Sequence, residues 1–479
     1  MDFTERIHIR NYLLFAAIYG IIFAIQYLDL TLVVILIFLG LVVYSLLFPE
    51  KGVFYMILAL FLFDDFPFDL SNEAFSSLHA SRIGGQTIAK LFSLFFLLVI
   101  FLNWIKKSRI PRVHWIVRVF TLLFIVAGIT GLLKGNGQYI QAFINDSRFF
   151  LNFIIGFYLV VSFLKDNLLF QKIFPYFAMI FSIKTIGIVL VSIYLSQNNT
   201  TNTIYSDSGL YLANFFVLFF IVVASLNKKK IWYSVFGILI ILLCLGLSAS
   251  RGKIVLTILS IFLFLFAAKK LKMLPLTVAV FIGVSFLVFL INPDMYQYLE
   301  WKLTSFKPDK TTGKSSYVRF VEYVNILGMS FNSIHSFIVG EGLGGYFTTK
   351  YLFFPFELRG IHSYPDEWIN MGKFFKPHGS IAVMLLKNGV VGTMFFYGSL
   401  TYFFFKAKAV YFVNLLKDKQ RAQFLMAFGA SALPTLLISY SAKLNLMCGI
   451  LFGVYYCLQL DMKTFSKESQ LPNLKSVPE

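Results

Sequence analysis

IWYSVFGILIILLCLGLSASRGKIVLTILSIFLFLFAA, residues 231–268, contains two apolar runs separated by a short polar turn. Each run approaches the ~20 apolar residues that a helix needs to cross the hydrocarbon core of a bilayer. The stretch predicts two membrane helices, near 231–249 and 253–268, joined at Ser-Ala-Ser-Arg-Gly-Lys (248–253). A turn needs small or polar residues but no arginine. Arg251 is therefore either an anchor at the membrane surface or a contact for a substrate.

Comparable apolar runs recur along the whole chain. Hydrophobic residues make up 58% of the 479 residues and charged residues only 14%, against about 25% charged in a typical soluble protein. The sequence predicts an all-α, polytopic integral membrane protein with about 12–14 transmembrane helices. The first apolar segment lacks a small-residue cleavage site, so we expect it to be a retained helix.

The predicted spans divide the chain into four parts. Residues 1–292 form an N-terminal bundle of transmembrane helices, and residues 379–460 form the C-terminal transmembrane helices. Between them, residues 293–378 form a large extracytoplasmic loop with a helix near 316–335. Residues 461–479 form a cytoplasmic tail.

The formal net charge of +19 is concentrated in short basic clusters between the apolar runs. The positive-inside rule places such clusters in the cytoplasm, which puts both termini there and the long loop on the opposite side. Contacts with anionic membrane lipids explain the clusters, so we expect no nucleic-acid partner. The clusters are Lys106–Arg112, Lys228–Lys230, Lys269–Lys272 and Lys406–Arg421. The turn with Arg251 falls on the opposite side of the membrane, where the positive-inside rule does not account for a cation.

No sequence pattern for a metal or a cofactor occurs. Cys244, Cys448 and Cys457 lie apart inside apolar runs, which disfavours a disulfide or a thiolate metal site. The sequence GEGLGG at Gly340–Gly345 lacks the Lys-Ser/Thr pair of a phosphate-binding P-loop. We therefore expect a protein without a bound metal and without a cofactor.

Four cationic residues of the predicted outer face are candidates for a site: Arg148, Arg251, Arg319 and His378. Arginine stays charged and pairs bidentately with phosphate oxygens. Histidine suits a general base because its ordinary pKa lies near neutral pH. The alternatives are salt bridges to acids or lipid head groups for the arginines, and a structural hydrogen bond for the histidine. Arg148 is expected at the entrance of a helix over 149–164.

Two lysines are further candidates for substrate binding. Lys184 lies in the middle of a predicted span, where a lysine costs about 2.5–3.5 kcal/mol on insertion scales. We expect it to face a polar cavity or a partner. Lys253 adjoins Arg251, and it either assists that residue or anchors the helix to lipid head groups.

Four passages, in this order, carry a resemblance to a known family: NDSRFFLNFIIGFYL (145–159), LGLSASRGKIVLTIL (245–259), VRFVEYVNILGMSFNSIHSFIVGEGLGGYF (318–347) and PHGSIAVMLLKNGVVG (377–392). The first two resemble a segment with an arginine entering a helix and a Ser-x-Ser-Arg-Gly turn. The others resemble a loop helix that begins with arginine and ends in Gly-x-Gly, and a histidine motif at the exit of the loop. Together they resemble the bacterial O-antigen polymerase and O-antigen ligase superfamily.

The resemblance implies an integral-membrane glycosyltransferase that works on the periplasmic side of the bacterial cytoplasmic membrane. A glycan on an undecaprenyl diphosphate carrier would be transferred to a sugar hydroxyl, without a metal. Arg148, Arg251 and Arg319 would contact the diphosphate of the donor, and Arg251 and Arg319 would also stabilise the charge on the leaving group. His378 would orient or deprotonate the acceptor hydroxyl.

The resemblance favours a polymerase of oligosaccharide repeat units over a ligase. Ligases of the family prefer Asn, Ser or Gln directly after the histidine, whereas this chain has Gly379 there. The expected partners are lipid-linked oligosaccharide donor and acceptor, membrane lipids and a chain-length regulator protein. Two alternatives stay open: a ligase that transfers the glycan to lipid A-core or protein, and a transporter or flippase of lipid-linked sugars.

We expect EDTA to leave the implied transfer reaction largely unchanged. The reason is that cationic side chains would neutralise the diphosphate where other enzymes use a divalent ion. The measurement is product formation by the purified protein in liposomes, with and without EDTA. A loss of product that added Mg²⁺ or Mn²⁺ restores would contradict this expectation.

Overall fold

The structure, a computed structural model, is a bundle of helices. It describes residues 7–28, 31–62, 82–83, 86–107, 113–165, 169–197, 212–247, 251–291, 293, 296, 314–354, 364–438 and 442–468. Within these ranges the regular elements are helices, apart from a two-residue ladder in which β1 (Arg82–Ile83) pairs antiparallel with β2 (Gln86–Thr87) and an isolated antiparallel bridge between Phe347 and Phe374. The helical class predicted from the apolar runs is confirmed for this part of the chain.

The helices follow the predicted apolar runs closely. Before the long loop they are α1 (Ile9–Tyr27), α2 (Thr31–Leu47), α3 (Pro49–Leu62), α4 (Ile88–Lys107), α5 (Trp115–Leu133), α6 (Ile140–Leu159, extended by a π-helical turn over Val160–Leu164), α7 (Phe170–Gln197), α8 (Ala213–Leu226), α9 (Ile231–Leu247), α10 (Arg251–Ala267) and α11 (Leu274–Ile291). Within and after the loop they are α12 (Lys314–Phe331), α13 (Ile334–Val339), α14 (Asp366–Met371), α15 (Ser380–Asn414), α16 (Lys419–Ile438) and α17 (Ala442–Glu468). The loop helix predicted near 316–335 is thus two helices. The tail predicted from 461 begins inside α17, and its residues 469–479 lie outside the described part.

Six described helical segments are long and apolar enough to cross a membrane: Trp115–Leu133, Ile140–Leu164, Lys228–Leu247, Leu271–Ile291, Ser380–Asn414 and Leu444–Asp461. Shorter apolar segments of 10–17 residues lie in α1, α2, α4, α8 and α10. Most of these helices expose large apolar side chains, and in α11 the buried side chains are Val284 and Val288. Apolar surface of this extent is typical of contact with lipid. The total of about 12–14 spans stays a prediction.

Helices α6 and α17 run parallel and in close contact. The Asn445 side chain donates a hydrogen bond to the carbonyl oxygen of Phe149 at 2.8 Å. One turn farther along both helices, Gly449 lies against the backbone of Phe153, and Gly453 lies against Phe157. Small residues four positions apart allow two membrane helices to approach closely. Both helices therefore begin at the same end of the bundle.

Helix α15 is broken at Gly389, where the sequence predicts one continuous span over 379–405. Gly389 has φ 69° and ψ −177°, which is a backbone conformation that favours glycine. The break takes the carbonyl oxygens of Leu386 and Lys387 out of the regular helical pattern. They accept hydrogen bonds from the backbone N–H groups of Glu341 (2.7 Å) and Gly342 (3.1 Å). The long loop thus supplies donors that a continuous helix would have supplied.

The short half of α15, residues 380–388, runs back along the long half. Helix α16 packs antiparallel to α15, with Gly429 against Ala407. Farther along α16, the carbonyl oxygen of Leu437 is level with the middle of α15, and it accepts a hydrogen bond from the hydroxyl of Ser380. A re-entrant segment of this kind is tolerated at membrane depth where protein surrounds it. We use the name loop end for the end of the bundle where α5 and α16 end and where α6, α17 and the long half of α15 begin.

We expect Gly389→Ala to lower the thermal unfolding midpoint of the purified protein. An alanine at this backbone conformation costs about 1–3 kcal/mol, and its Cβ would lie 2.7 Å from the nitrogen of Gly340. The matched control is Gly398→Ala in the long half of α15, where a Cβ would meet nothing within 4 Å. An equal midpoint for both variants in a detergent melt would contradict the described break.

Candidate functional site

A glycine loop, Gly340–Gly345, connects the long loop to the membrane helices. Gly340 has φ 72°, and a Cβ on it would lie 2.5 Å from the nitrogen of Gly389. The backbone N–H of Leu343 donates to the carbonyl oxygen of Ala127 in α5 at 2.8 Å. The glycine loop therefore fills the space between α5 and the break in α15. Its glycines serve close backbone packing, in agreement with the absence of a P-loop pattern.

A buried ion pair locks the glycine loop to two membrane helices. Lys387 of α15 lies 2.6 Å from the carboxylate of Asp146 in α6, and the side chains are 1% and 7% exposed. The same carboxylate accepts from the N–H of Gly344 at 2.8 Å, while the ammonium donates to the carbonyl oxygen of Gly345 at 2.5 Å. Each buried charge thus has a partner of opposite charge and a backbone hydrogen bond, which offsets the cost of removing it from water.

A second, half-buried ion pair holds the other side of the glycine loop. Lys134, at the end of α5, lies 2.9 Å from Glu341. Lys134 also donates to Gly340 O at 3.1 Å and to the hydroxyl of Ser336 at 3.0 Å. The side chain of Asn136 donates to the carbonyl oxygen of Glu341 at 2.7 Å. Asp146 and Glu341 thus form ion pairs with Lys387 and Lys134, two lysines that we did not predict as site residues.

His378 is held by a buried carboxylate of the loop helix α12. The Nδ1 atom of His378 lies 2.5 Å from Oε1 of Glu322, and the Glu322 side chain is fully buried. The backbone N–H of His378 also donates to both oxygens of Glu322, at 3.2 and 3.0 Å. A carboxylate can only accept from Nδ1–H, so this contact favours the tautomer in which Nε2 carries the lone pair.

Tyr364 completes the arrangement around His378. Its hydroxyl donates to Glu322 Oε1, and its ring lies edge-on to the imidazole with centroids 5.0 Å apart. Burial raises the pKa of Tyr364, and the negative charge of Glu322 raises it further, so the phenol stays a donor. The His378 side chain is 32% exposed. Among the described residues, the ring hydrogen bond is made by Nδ1, which leaves Nε2 for a ligand.

Arg319 belongs to the same helix face as Glu322. It precedes Glu322 by three positions and Tyr323 by four, and these spacings bring side chains together on a helix. Burial and the charge of Glu322 raise the pKa of Tyr323, whereas the nearby Arg319 lowers it. Arg319 is exposed, and no carboxylate of the described residues forms an ion pair with it. Arg319 therefore lies on the helix whose Glu322 contacts His378, and its role in a common site stays a prediction.

Arg148 lies inside α6 and not at the entrance of a helix. Helix α6 begins at Ile140, so the prediction of a helix starting at residue 149 is wrong. The polar stretch before Arg148 belongs to this helix, and its Asp146 is paired with Lys387. Arg148 is half-buried, and the next residue, Phe149, contacts the first turn of α17.

The end of α16 and the start of α17 contact the residues that follow His378 and Arg148. Ser380, two positions after His378, contacts Leu437 at the end of α16. Phe149, one position after Arg148, contacts Asn445 at the start of α17. The segments that carry His378 and Arg148 therefore pack against consecutive helices, although they are far apart in the sequence.

Lys376 adds a cation to this region that the sequence analysis did not single out. It precedes His378 by two positions. Burial lowers the pKa of Lys376, and the carboxylate of Asp146 opposes this shift. The contacts of Lys373 and Phe375 with Tyr139 place the chain before His378 beside the start of α6.

Arg251 and Lys253 open helix α10. The Arg251 side chain and the preceding Ser248 and Ser250 lie outside the described residues. Lys253 is buried, which does not fit an anchor at lipid head groups. Helix α10 packs against α16, whose end also contacts Ser380. The helix that begins with Arg251 is thus adjacent to the helix that reaches the His378 segment.

Lys184 has a partner in a different part of the bundle. Its ammonium donates to the carbonyl oxygen of Phe61 at 2.8 Å and lies 5.5 Å from the centroid of the Phe61 ring. Phe61 belongs to the last turn of α3, where carbonyl groups lack helical partners. The partner that we expected for Lys184 is therefore a carbonyl group at the end of α3. This contact gives no support to a role of Lys184 in substrate binding.

No protein-family model matches the chain, and no curated protein matches it significantly. Within the described ranges, no group of three or more His, Cys, Asp or Glu side chains is arranged to hold a metal ion. The candidate site is thus defined by its own geometry: His378 contacts Glu322, Arg319 lies on the helix that carries Glu322, and Arg148 lies next to Phe149, which contacts the start of α17.

We expect Lys387→Met to destabilise the protein strongly, since it leaves Asp146 buried without its cation. Breaking a buried pair from one side costs about 3–5 kcal/mol, whereas an exposed pair contributes about 0–1 kcal/mol. The measurement is the thermal unfolding midpoint in detergent, with Lys134→Met as the control for the half-buried pair. The double variant Asp146→Asn/Lys387→Met should recover part of the loss. Equal effects of the two single variants would contradict the locking role of Lys387.

Proposed function

We propose that this protein is a membrane glycosyltransferase that joins oligosaccharide repeat units carried on polyprenyl diphosphate. The observation that supports it most is the His378–Glu322 contact, at the end of the bundle that also carries Arg148 and Arg319. A histidine oriented by a carboxylate is suited to deprotonate a hydroxyl, and arginines are suited to bind a diphosphate.

In the proposed reaction, His378 activates the acceptor. Its Nε2 takes the proton of a sugar hydroxyl, whose oxygen attacks the anomeric carbon of the donor glycan. A new glycosidic C–O bond forms while the C–O bond to the diphosphate breaks. Glu322 holds the ring in the required tautomer and stabilises the imidazolium that forms. The fully buried position of Glu322 keeps this orientation fixed.

The arginines act on the leaving group. The bond that breaks leaves its electron pair on the diphosphate, so negative charge grows there during the reaction. Arg319 and Arg148 would neutralise this charge, with Arg251 as a third contact at the start of α10. The lack of a carboxylate partner for Arg319 and Arg148 among the described residues suits this role.

Gly379 favours a polymerase over a ligase through the family resemblance, since ligases of that family carry a polar side chain after the histidine. A Cβ at this position would lie 3.2 Å from the hydroxyl of Tyr323, so that hydroxyl would have to move by a few tenths of an ångström. In this proposal donor and acceptor are both lipid-linked oligosaccharides, and the loop end faces the periplasm.

We expect the purified protein in liposomes to build a ladder of longer glycans from its lipid-linked repeat units alone. His378→Ala should lower the rate at least about 100-fold, the lower range for general base catalysis. Arg319→Ala should lower it through loss of leaving-group stabilisation, by about 10²–10³-fold for one electrostatic group. The readout is a gel of fluorescently labelled glycans.

The matched control is His335→Ala, which removes an exposed histidine of α13 in the same loop. It should leave the ladder unchanged. A ladder of normal rate from His378→Ala would exclude the proposed base. Product that appears only when lipid A-core or an acceptor protein is added would indicate a ligase, and movement of the lipid-linked unit across the bilayer without any product would indicate a transporter.

A further inference from the structure

A continuous cluster of aromatic rings leads away from His378 across the surface of the long loop. Tyr364 contacts His378, and Trp368 of α14 follows with ring centroids 6.3 Å from Tyr364. Phe375 lies 5.3 Å from Trp368. Beyond it, Tyr139 from the α5–α6 connection lies 5.0 Å from Phe375. These rings come from two segments that are far apart in the sequence, so the fold assembles the cluster.

Buried rings support half-exposed ones in this cluster. Tyr364 and Phe375 are buried, whereas Trp368, Tyr139 and Tyr346 are half-exposed. Tyr346 lies 5.6 Å from both Tyr139 and Phe375 and is nearly perpendicular to Tyr139. We call the three half-exposed rings the aromatic shelf. Buried rings pack against the shelf, and the rings of the shelf itself are partly exposed.

Lys373 provides a fixed cation at the far edge of the shelf. Its ammonium donates to the hydroxyl of Tyr139 at 2.5 Å and lies 5.1 and 4.8 Å from the ring centroids of Tyr139 and Tyr346. The hydrogen bond to Tyr139 raises the pKa of Lys373, so the group stays charged. The shelf thus offers aromatic edges and faces together with a phenol and an ammonium group.

We propose that the aromatic shelf is the subsite for the part of the acceptor glycan that lies beyond the reacting hydroxyl. A pyranose ring has apolar C–H faces and polar hydroxyl edges, and it is matched by aromatic rings that carry polar groups at their rim. The shelf begins one buried ring away from His378, where the reacting hydroxyl would lie. This inference rests on the proposed function, which makes His378 the acceptor base.

Charge and position argue for a sugar and against an anchor in the membrane. Aromatic anchors spread along both membrane–water boundaries on the outside of a bundle. The shelf rings instead pack against each other around Phe375, and they are joined to His378 through Tyr364. An ammonium group with its own phenol partner also favours a hydroxylated ligand over a hydrocarbon.

The first test measures binding without catalysis. The probe is the lipid-free repeat-unit oligosaccharide, released from its carrier by mild acid, added to the full-length protein in nanodiscs. We expect hydroxyl-radical footprinting of the wild-type protein to show at least twofold protection of Trp368, Tyr139 and Tyr346. Phe353, which is 73% exposed on the same loop and outside the cluster, should show no protection.

The second test uses variants that remove a flat ring and keep apolar volume. Trp368→Leu and Tyr346→Leu should each raise the dissociation constant of the oligosaccharide at least tenfold by calorimetry. Phe353→Leu is the matched control and should bind like the wild type. His378→Ala should bind the oligosaccharide within threefold of the wild type while it forms no product.

These outcomes separate the two proposals. Protection of the shelf without any chain growth would contradict the proposed reaction and still support a glycan-binding site. Chain growth with no protection of the shelf, and with normal binding by Trp368→Leu and Tyr346→Leu, would overturn the shelf and keep the reaction. Protection by a short-chain phospholipid in place of the oligosaccharide would make the shelf a membrane anchor and overturn the glycan site.

Discussion

The interlock between the glycine loop and the break in α15 is the contact on which the loop end depends. The break at Gly389 leaves two carbonyl groups of α15 without helical donors, and the backbone N–H groups of Glu341 and Gly342 donate to them. Neither segment satisfies its backbone without the other, since an unpaired backbone group at membrane depth costs several kcal/mol. The buried pair of Asp146 and Lys387 fixes this contact to α6. Through it, the chain that carries His378 has a defined position against the bundle.

The charged groups of the bundle fall into two kinds. Lys387, Lys134 and Lys184 each have a partner within the fold, either a carboxylate or the carbonyl oxygen of a helix end. Arg319 and Arg148 form no ion pair with the described carboxylates, and they lie on the helix that carries Glu322 and on α6, respectively. Charges with internal partners stabilise the structure, whereas charges at one end without such partners are suited to an anionic ligand. Arg421, which pairs with Asp418 and Asp461, also belongs to the first kind.

The sequence predicted most helices, because an apolar run of sufficient length has one stable form in lipid. It grouped Arg319 with His378 only through a family resemblance, and the contact of His378 with Glu322 joins residues 56 positions apart. The break at Gly389 was missed, since a glycine inside an apolar run also fits a continuous helix. The GEGLGG stretch supplies the N–H donors for the carbonyl groups that the break at Gly389 leaves without helical partners, and this pairing cannot be read from either segment alone. For Lys184 the sequence was more informative. A charge inside a span needs a partner, and the structure shows that this partner is a carbonyl group at the end of α3.

The central claim is that the loop end transfers a glycan from a lipid diphosphate, with His378 as the base. A cryo-EM structure of the protein with its lipid-linked oligosaccharide tests it most directly. We predict density for the diphosphate within hydrogen-bond distance of Arg319 or Arg148, and a sugar hydroxyl within about 3.2 Å of His378 Nε2. A diphosphate bound elsewhere in the bundle, for example beside Lys184, with His378 facing only solvent, would contradict the account.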